Sequence, residues 1–166
     1  MIRDKGNKAY SHKEFEVALG HFGESALVGP IDEAGRGREV AVALANRSAV
    51  HFEMEEWSRC LADIEASLRL VNGLIAYKVF NLKIQKVFFS RFGYPDELTF
   101  KLHDRRGRCY MHCSRPCEAV MAFQECLHRI DGGHCNLEAK KQELFITEAK
   151  KRLNEAEVAS KKKKGE

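Results

Sequence analysis

The sequence predicts an all-α fold: three helical hairpins wound into a superhelix, with a C-terminal capping helix on the exposed end. Three observations carry this expectation. In the stretch Phe100–Leu127, Gly107 is followed by Tyr110 after three residues, and Ala119 by Phe123 after four. The same small–small–large series, twelve residues and then four, recurs as Gly6, Ala18 and Phe22 and as Ser48, Cys60 and Ile64. The chain of 166 residues is 44% hydrophobic and holds three prolines, so it has the material for a core and few interruptions to long helices. Each residue type in the series has a physical reason. Small residues suit the place where two antiparallel helices approach closely, and large ones fill the space between layers. One such hairpin cannot bury its apolar face alone, so it requires neighbours of its own kind.

Taken in order, Arg3–Ser25 reads as the first hairpin, with its turn at Ser11–Lys13. Phe15 and Leu19 lie four apart on one face of its second helix. Val28–Arg38 carries three glycines and a proline and reads as a loop longer than the usual helix connection. Val40–Leu70 is the second hairpin. Trp57 takes the aromatic place of Phe15, three residues before the small residue. The equivalent positions 6, 48 and 107 are 42 and 59 residues apart, against a helical-hairpin repeat of about 34. Roughly eight extra residues therefore fall in the first connection and roughly 25 in the second.

The second surplus is Val71–Gly93, VNGLIAYKVFNLKIQKVFFSRFG, which is apolar, β-branched and aromatic and has no acidic residue. Two readings stay open. It is an extra helix or hairpin packed on the solenoid, or a retained intron. VNG can be encoded by a sequence opening GTAAAT, and FFS suits a pyrimidine tract with a terminal CAG. Pro95–Leu127 is the third hairpin, started by Tyr94-Pro95-Asp96-Glu97 with acidic residues in the first turn. Pro116 opens its second helix. Ile130–Asn136 is a break. Leu137–Ala159, with Leu144, Ala149, Leu153 and Ala156 among charges, is the capping helix. Ser160–Glu166 is a basic, disordered tail. The domain thus spans residues 1–159, with repeats at about 1–28, 40–71 and 95–130, the insertion at 71–93 and the cap at 137–159.

Composition narrows the function classes. Lys and Arg number 28 against 24 Asp and Glu, a net charge of +4 that sits partly in Lys161–Lys164. A nucleic-acid binder is expected to show a basic stripe, so specific nucleic-acid binding is not inferred. The opening MIRDKGNKAY has no apolar signal region, and no run of about 18 apolar residues is present. The expectation is a monomeric cytoplasmic protein, with Lys161–Lys164 leaving nuclear import open. The six cysteines are then free thiols in a reducing compartment. Cys109, Cys113 and Cys117, with His112, His128 and His134 nearby, raise a zinc site. The spacing lacks a distinct second pair of ligands, so these cysteines read as small buried residues of a hairpin. No cysteine–histidine nucleophile pair and no phosphate-binding glycine loop stands out, Gly35-Arg36-Gly37 included. No catalytic residue, metal or cofactor is assigned.

The G-x2-Y…A-x3-F pattern resembles the skeleton of the tetratricopeptide (TPR) repeat. Arg3 and Asn7 share one helix face, Asn46 lies at the matching stage of the second unit, and Lys101 and Arg105 again share a face in the third. Two amides and three cations on neighbouring first helices make a donor-rich pocket suited to a carboxylate. This set is similar to the dicarboxylate clamp of TPR co-chaperones, which holds the acidic C-terminal tail of Hsp90 or Hsp70. The resemblance implies that Asn7 and Asn46 bond the terminal carboxylate, Arg3 (where Lys is usual) and Lys101 add charge, and Arg105 reaches a side-chain carboxylate or the peptide backbone. The segments RDKGNKAY, LANRSAV…LADIEASL and FGYPDELTFKLHDRRGRCY…EAVMAF resemble a second family as well. This is the N-terminal TPR region of SET-and-MYND-domain methyltransferase proteins, the fourth subgroup in particular, and GYPDEL…K…RRGRC is the more specific part. That family's NHS-type cofactor motif and C-x2-C pairs are not found here. Methyl transfer is therefore not carried onto these residues. Two functions are expected: a module binding an acidic peptide C-terminus, or the non-catalytic part of a protein-lysine methyltransferase.

Overall fold

The computed structural model describes residues 1–29, 36–80, 96–131 and 138–164. Among them are seven α-helices and no strand: α1 (Ile2–Ser11), α2 (Phe15–Leu27), α3 (Arg36–Glu53), α4 (Trp57–Phe80), α5 (Asp96–His112), α6 (Pro116–Asp131) and α7 (Ala139–Lys164). They form two compact units, Met1–Tyr94 and Pro95–Glu166. In the first, α2 packs on both α1 and α3, α3 packs on α4, and α1 also touches α3. In the second, α6 packs on both α5 and α7.

The helix pairs α1–α2, α3–α4 and α5–α6 close by the same local chemistry. Each turn has one non-glycine residue in the left-handed region: Lys13 (φ 62°), Glu55 (φ 59°) and Ser114 (φ 54°). The spacing of these three residues matches that of Gly6, Ser48 and Gly107. In each turn the left-handed residue donates its N–H three residues back, to Tyr10, Phe52 or Met111, at 3.0–3.1 Å. The next residue donates five back, to Ala9, His51 or Tyr110, at 2.8–2.9 Å. This is the Schellman arrangement, which satisfies carbonyls that a helix end would otherwise strand. Side chains straddling the turn pack as well: Tyr10 on Phe15 (6.2 Å between centroids) and Phe52 edge-on to Trp57 (5.2 Å).

The small–small–large series does the packing work expected of it. Gly6, Ala18 and Phe22 are buried, and so are Gly107, Ala119 and Phe123. A methyl group on Gly6 would lie 2.6 Å from Phe22 Cε1, and one on Gly107 would lie 2.5 Å from Phe123 Cε1. In the middle pair Ser48, Cys60 and Ile64 are all buried, and Cys60 donates its thiol to the Ser48 carbonyl at 3.2 Å. A further bond recurs within two of the hairpins: Ser67 Oγ donates to the Ala41 carbonyl at 2.8 Å, and Cys126 Sγ to the Phe100 carbonyl at 3.6 Å. Both span 26 residues. Burial, and secondarily the Asp104 charge, pushes the Cys126 thiol far above its ordinary range, with Arg152 opposing.

Helix α7 covers the third hairpin through two patches. Ala149 is buried with Phe100 and Cys126, and Phe145 stacks on Phe100 at 4.3 Å. Ala156 is buried with Ala119 and Phe123, flanked by Leu153. Arg152, between them, pairs with the buried Asp104 of α5.

Several boundaries differ from expectation. Arg36–Arg38 are the first turn of α3 rather than loop. Helix α4 does not stop at Leu70 but continues to Phe80, through the opening of the apolar insertion. Residues 81–93 of that insertion, and Pro95, lie outside the described residues. Helix α6 keeps Ile130 and Asp131, where a break was expected, while 132–136 lie outside the description. The tail is not disordered through its lysines. Helix α7 runs to Lys164, and Lys163 Nζ donates to the Ser114 carbonyl at 2.7 Å, supplying a donor to the turn that follows α5. Leu144 is exposed, and Phe145 and Ile146 take the packing role assigned to it.

Candidate functional site

Arg3 and Asn7 sit one turn apart on α1, where an i, i+4 pair shares a face. Gly6, one residue before Asn7, packs against the Phe22 ring of α2, so the packing of α1 on α2 fixes the rotation of α1 and with it the positions of Arg3 and Asn7. Helix α3 is held to α4 at the equivalent position, where the Cys60 thiol donates to the Ser48 carbonyl at 3.2 Å. The result brings the two asparagines together: Asn46 Nδ2 donates to Asn7 Oδ1 at 3.0 Å. That bond uses one of the four side-chain N–H bonds of the pair. Both N–H bonds of Asn7 and one of Asn46 remain as donors for an anion. Arg3 reaches across to α3 and pairs with Glu39, Nη1 to Oε2 at 2.7 Å.

Lys101 and Arg105 belong to the second unit, four apart on α5. Lys101 is exposed and pairs with Glu97 at 2.7 Å, one turn earlier. Glu97 divides its carboxylate: Oε1 meets Lys101, and Oε2 meets Lys141 of α7 at 2.6 Å. Hydrogen bonds from Lys101 first and Lys141 second hold the Glu97 carboxyl below its ordinary range. Arg105 is partly buried on the same helix. The five candidate residues therefore divide between two units, with Arg3, Asn7 and Asn46 gathered in the first.

A second polar group was not anticipated. Arg47 forks onto Asp63 through Nε (2.7 Å) and Nη2 (2.6 Å), and Asp63 is buried. That bond raises the Arg47 pKa against the opposing effect of burial. His51 Nδ1 lies 2.6 Å from Glu56 Oε2, and its Nε2 lies 3.6 Å from Asp63. The His51 contact, with smaller help from Arg59, holds the Glu56 carboxyl below its usual range. A cleft of about 600 Å³ beside this group is lined by Arg47, His51, Asp63 and, on α2, by Glu16 and Leu19. A signal for the fork existed in the sequence. Arg47 and Asp63 are 16 apart, the separation that also joins Gly6 to Phe22 and Gly107 to Phe123 across a turn.

The cysteines do not all behave as small buried residues. Cys60, Cys109 and Cys126 are buried, but Cys113 is only partly so and Cys117 is exposed on the first turn of α6. Its Sγ lies 3.2 Å from Ser160 Oγ of α7, while Pro116 beside it is buried. His112 and His128 are exposed, while His134 and Cys135 lie outside the described residues. Among the described residues, no three of His, Cys, Asp and Glu converge on a metal-sized site. No described helix is long and apolar enough to cross a membrane. No protein-family model matches the chain.

Proposed function

We propose that the three hairpins form a TPR superhelix that serves as a protein-interaction module for an acidic peptide C-terminus, such as a chaperone tail of the Hsp90 or Hsp70 kind. The observation that carries the reading is the meeting of Asn7 and Asn46 with Arg3 one turn away. Amide N–H donors beside a guanidinium suit a carboxylate, because the donors replace water and the cation supplies the attraction. In this reading Asn7 and Asn46 take the terminal carboxylate, Arg3 and Lys101 add charge, and Arg105 takes a side-chain carboxylate or the peptide backbone. The alternative reading, which rests on the resemblance to SET-and-MYND proteins alone, is the non-catalytic N-terminal part of a protein-lysine methyltransferase.

Calorimetric titration with a peptide ending in Met-Glu-Glu-Val-Asp tests the reading. Binding is expected, and Asn46→Ala or Lys101→Ala should weaken it roughly tenfold or more, the worth of one hydrogen bond to a charged group. No heat with the peptide, or affinity indifferent to both substitutions, overturns the proposal.

A further inference from the structure

We propose that Glu39 is a built-in competitor for Arg3, so that an acidic ligand must displace an internal carboxylate before it gains that cation. The inference rests on the peptide-binding reading above and adds a determinant of its affinity. Its basis is geometric. Glu39 stands in the first turn of α3, and its Oε2 lies 2.7 Å from Arg3 Nη1 across 36 residues of sequence. Both side chains are half-buried, at 24% for Arg3 and 31% for Glu39. Solvent screening between them is therefore reduced. A ligand carboxylate placed at the same guanidinium meets a neutral pair instead of a cation, and like charge disfavours two carboxylates side by side.

The other candidate cation supplies a contrast within the same molecule. Lys101 also faces a carboxylate, that of Glu97, at 2.7 Å. But Glu97 is shared with Lys141 at 2.6 Å, so this triad keeps one net positive charge. If Lys101 turns to a ligand, Glu97 retains a partner. Glu39 has no such second cation among the described residues. Competition is therefore strong at Arg3 and weak at Lys101. The ligand class that follows is a peptide end with at least two carboxylates, since a single one gains little over the internal partner of Arg3.

The test uses the full chain, the Met-Glu-Glu-Val-Asp peptide and its C-terminally amidated form, in calorimetry at low salt. Glu39→Gln should tighten binding about two- to fivefold, the worth of one partly exposed ion pair. Glu39→Ala should act likewise and guards against a fold defect peculiar to one substitution. Glu97→Gln should tighten less than Glu39→Gln. Adding Glu39→Gln to Arg3→Ala should bring no gain, because the competed-for cation is gone. If Arg3→Ala weakens binding but Glu39→Gln leaves it equal or weaker, Glu39 positions Arg3 rather than competing. The inference then falls and the clamp stands. If Glu39→Gln tightens binding even without Arg3, the effect is general charge and the inference falls. If no variant binds either peptide, the clamp reading falls and takes the inference with it.

Discussion

A methyl group has no place at Gly6 or Gly107, since at each it would lie only 2.5–2.6 Å from the ring of a phenylalanine sixteen residues on. Gly107→Ala is expected to cost about 1–3 kcal/mol, as overpacking usually does, seen as a lower melting temperature by circular dichroism. Gly20, where a methyl group would meet nothing within 4 Å, is the internal control. It lies inside α2, so Gly20→Ala should gain about 0.5–1 kcal/mol from helix propensity. The Gly–Phe pairs were legible in sequence because size is the whole of their chemistry: a gap in one helix is matched by a bulk in the next. The Arg47–Asp63 fork shares that sixteen-residue spacing and had no other signal, and the His51–Glu56 contact had none. Charged residues on amphipathic helices look solvated in one dimension, and only the hairpin register turns Asp63 inward. The clamp candidates were legible as types at positions. Glu39 was not, because the loop was expected to run on to Arg38 and so nothing placed Glu39 opposite α1.

At the scale of the element, the three turns accept a small strain. A non-glycine residue in the left-handed region costs about 1–2 kcal/mol, tolerated here for two capping bonds per turn. Ser114→Gly should therefore stabilise the third hairpin by about 0.5–1 kcal/mol after the added chain entropy of glycine. Urea midpoints measure it, with no change expected in slope. The residue closing each turn differs in chemistry while keeping its place. Glu56 pairs with Arg59, and at the equivalent positions Arg115 pairs with Glu118. Arg115 also lies over the Tyr110 ring at 4.8 Å. Hairpin existence was readable from the recurring spacing, but helix ends were not. Helix α4 continues through Val71–Phe80, where the second hairpin was expected to end at Leu70 and an extra helix or hairpin, or a retained intron, to follow. The lysines of the tail look like solvated charge, yet lysine propagates a helix well, and one of them reaches the Ser114 carbonyl.

For the molecule as a whole, acid is the informative perturbant. Glu56, Glu97 and Glu118 all have carboxyls held below their ordinary value of 4.5 by cationic or imidazole partners. Groups depressed in the folded state contribute stability above that value, and the contribution is lost as pH falls through the lowered one. Stability should therefore be flat near neutrality and decline below about pH 4.5, and Glu97→Gln should shrink the decline; melting temperature against pH measures both. Arg152→Ala, which strands the buried Asp104, should cost about 1.5–3 kcal/mol and raise amide exchange in α7 ahead of α5 and α6. The turns carry one more implication, for length. Each keeps the same count of residues, while the connections between hairpins differ by many. One residue added after Lys13 would swing α2 by about 100° around its axis and carry Phe22 off Gly6. The same residue added between hairpins leaves every glycine facing its own phenylalanine. Evolution and protein engineer alike can lengthen this chain at its joints, but each knuckle is a fixed gauge.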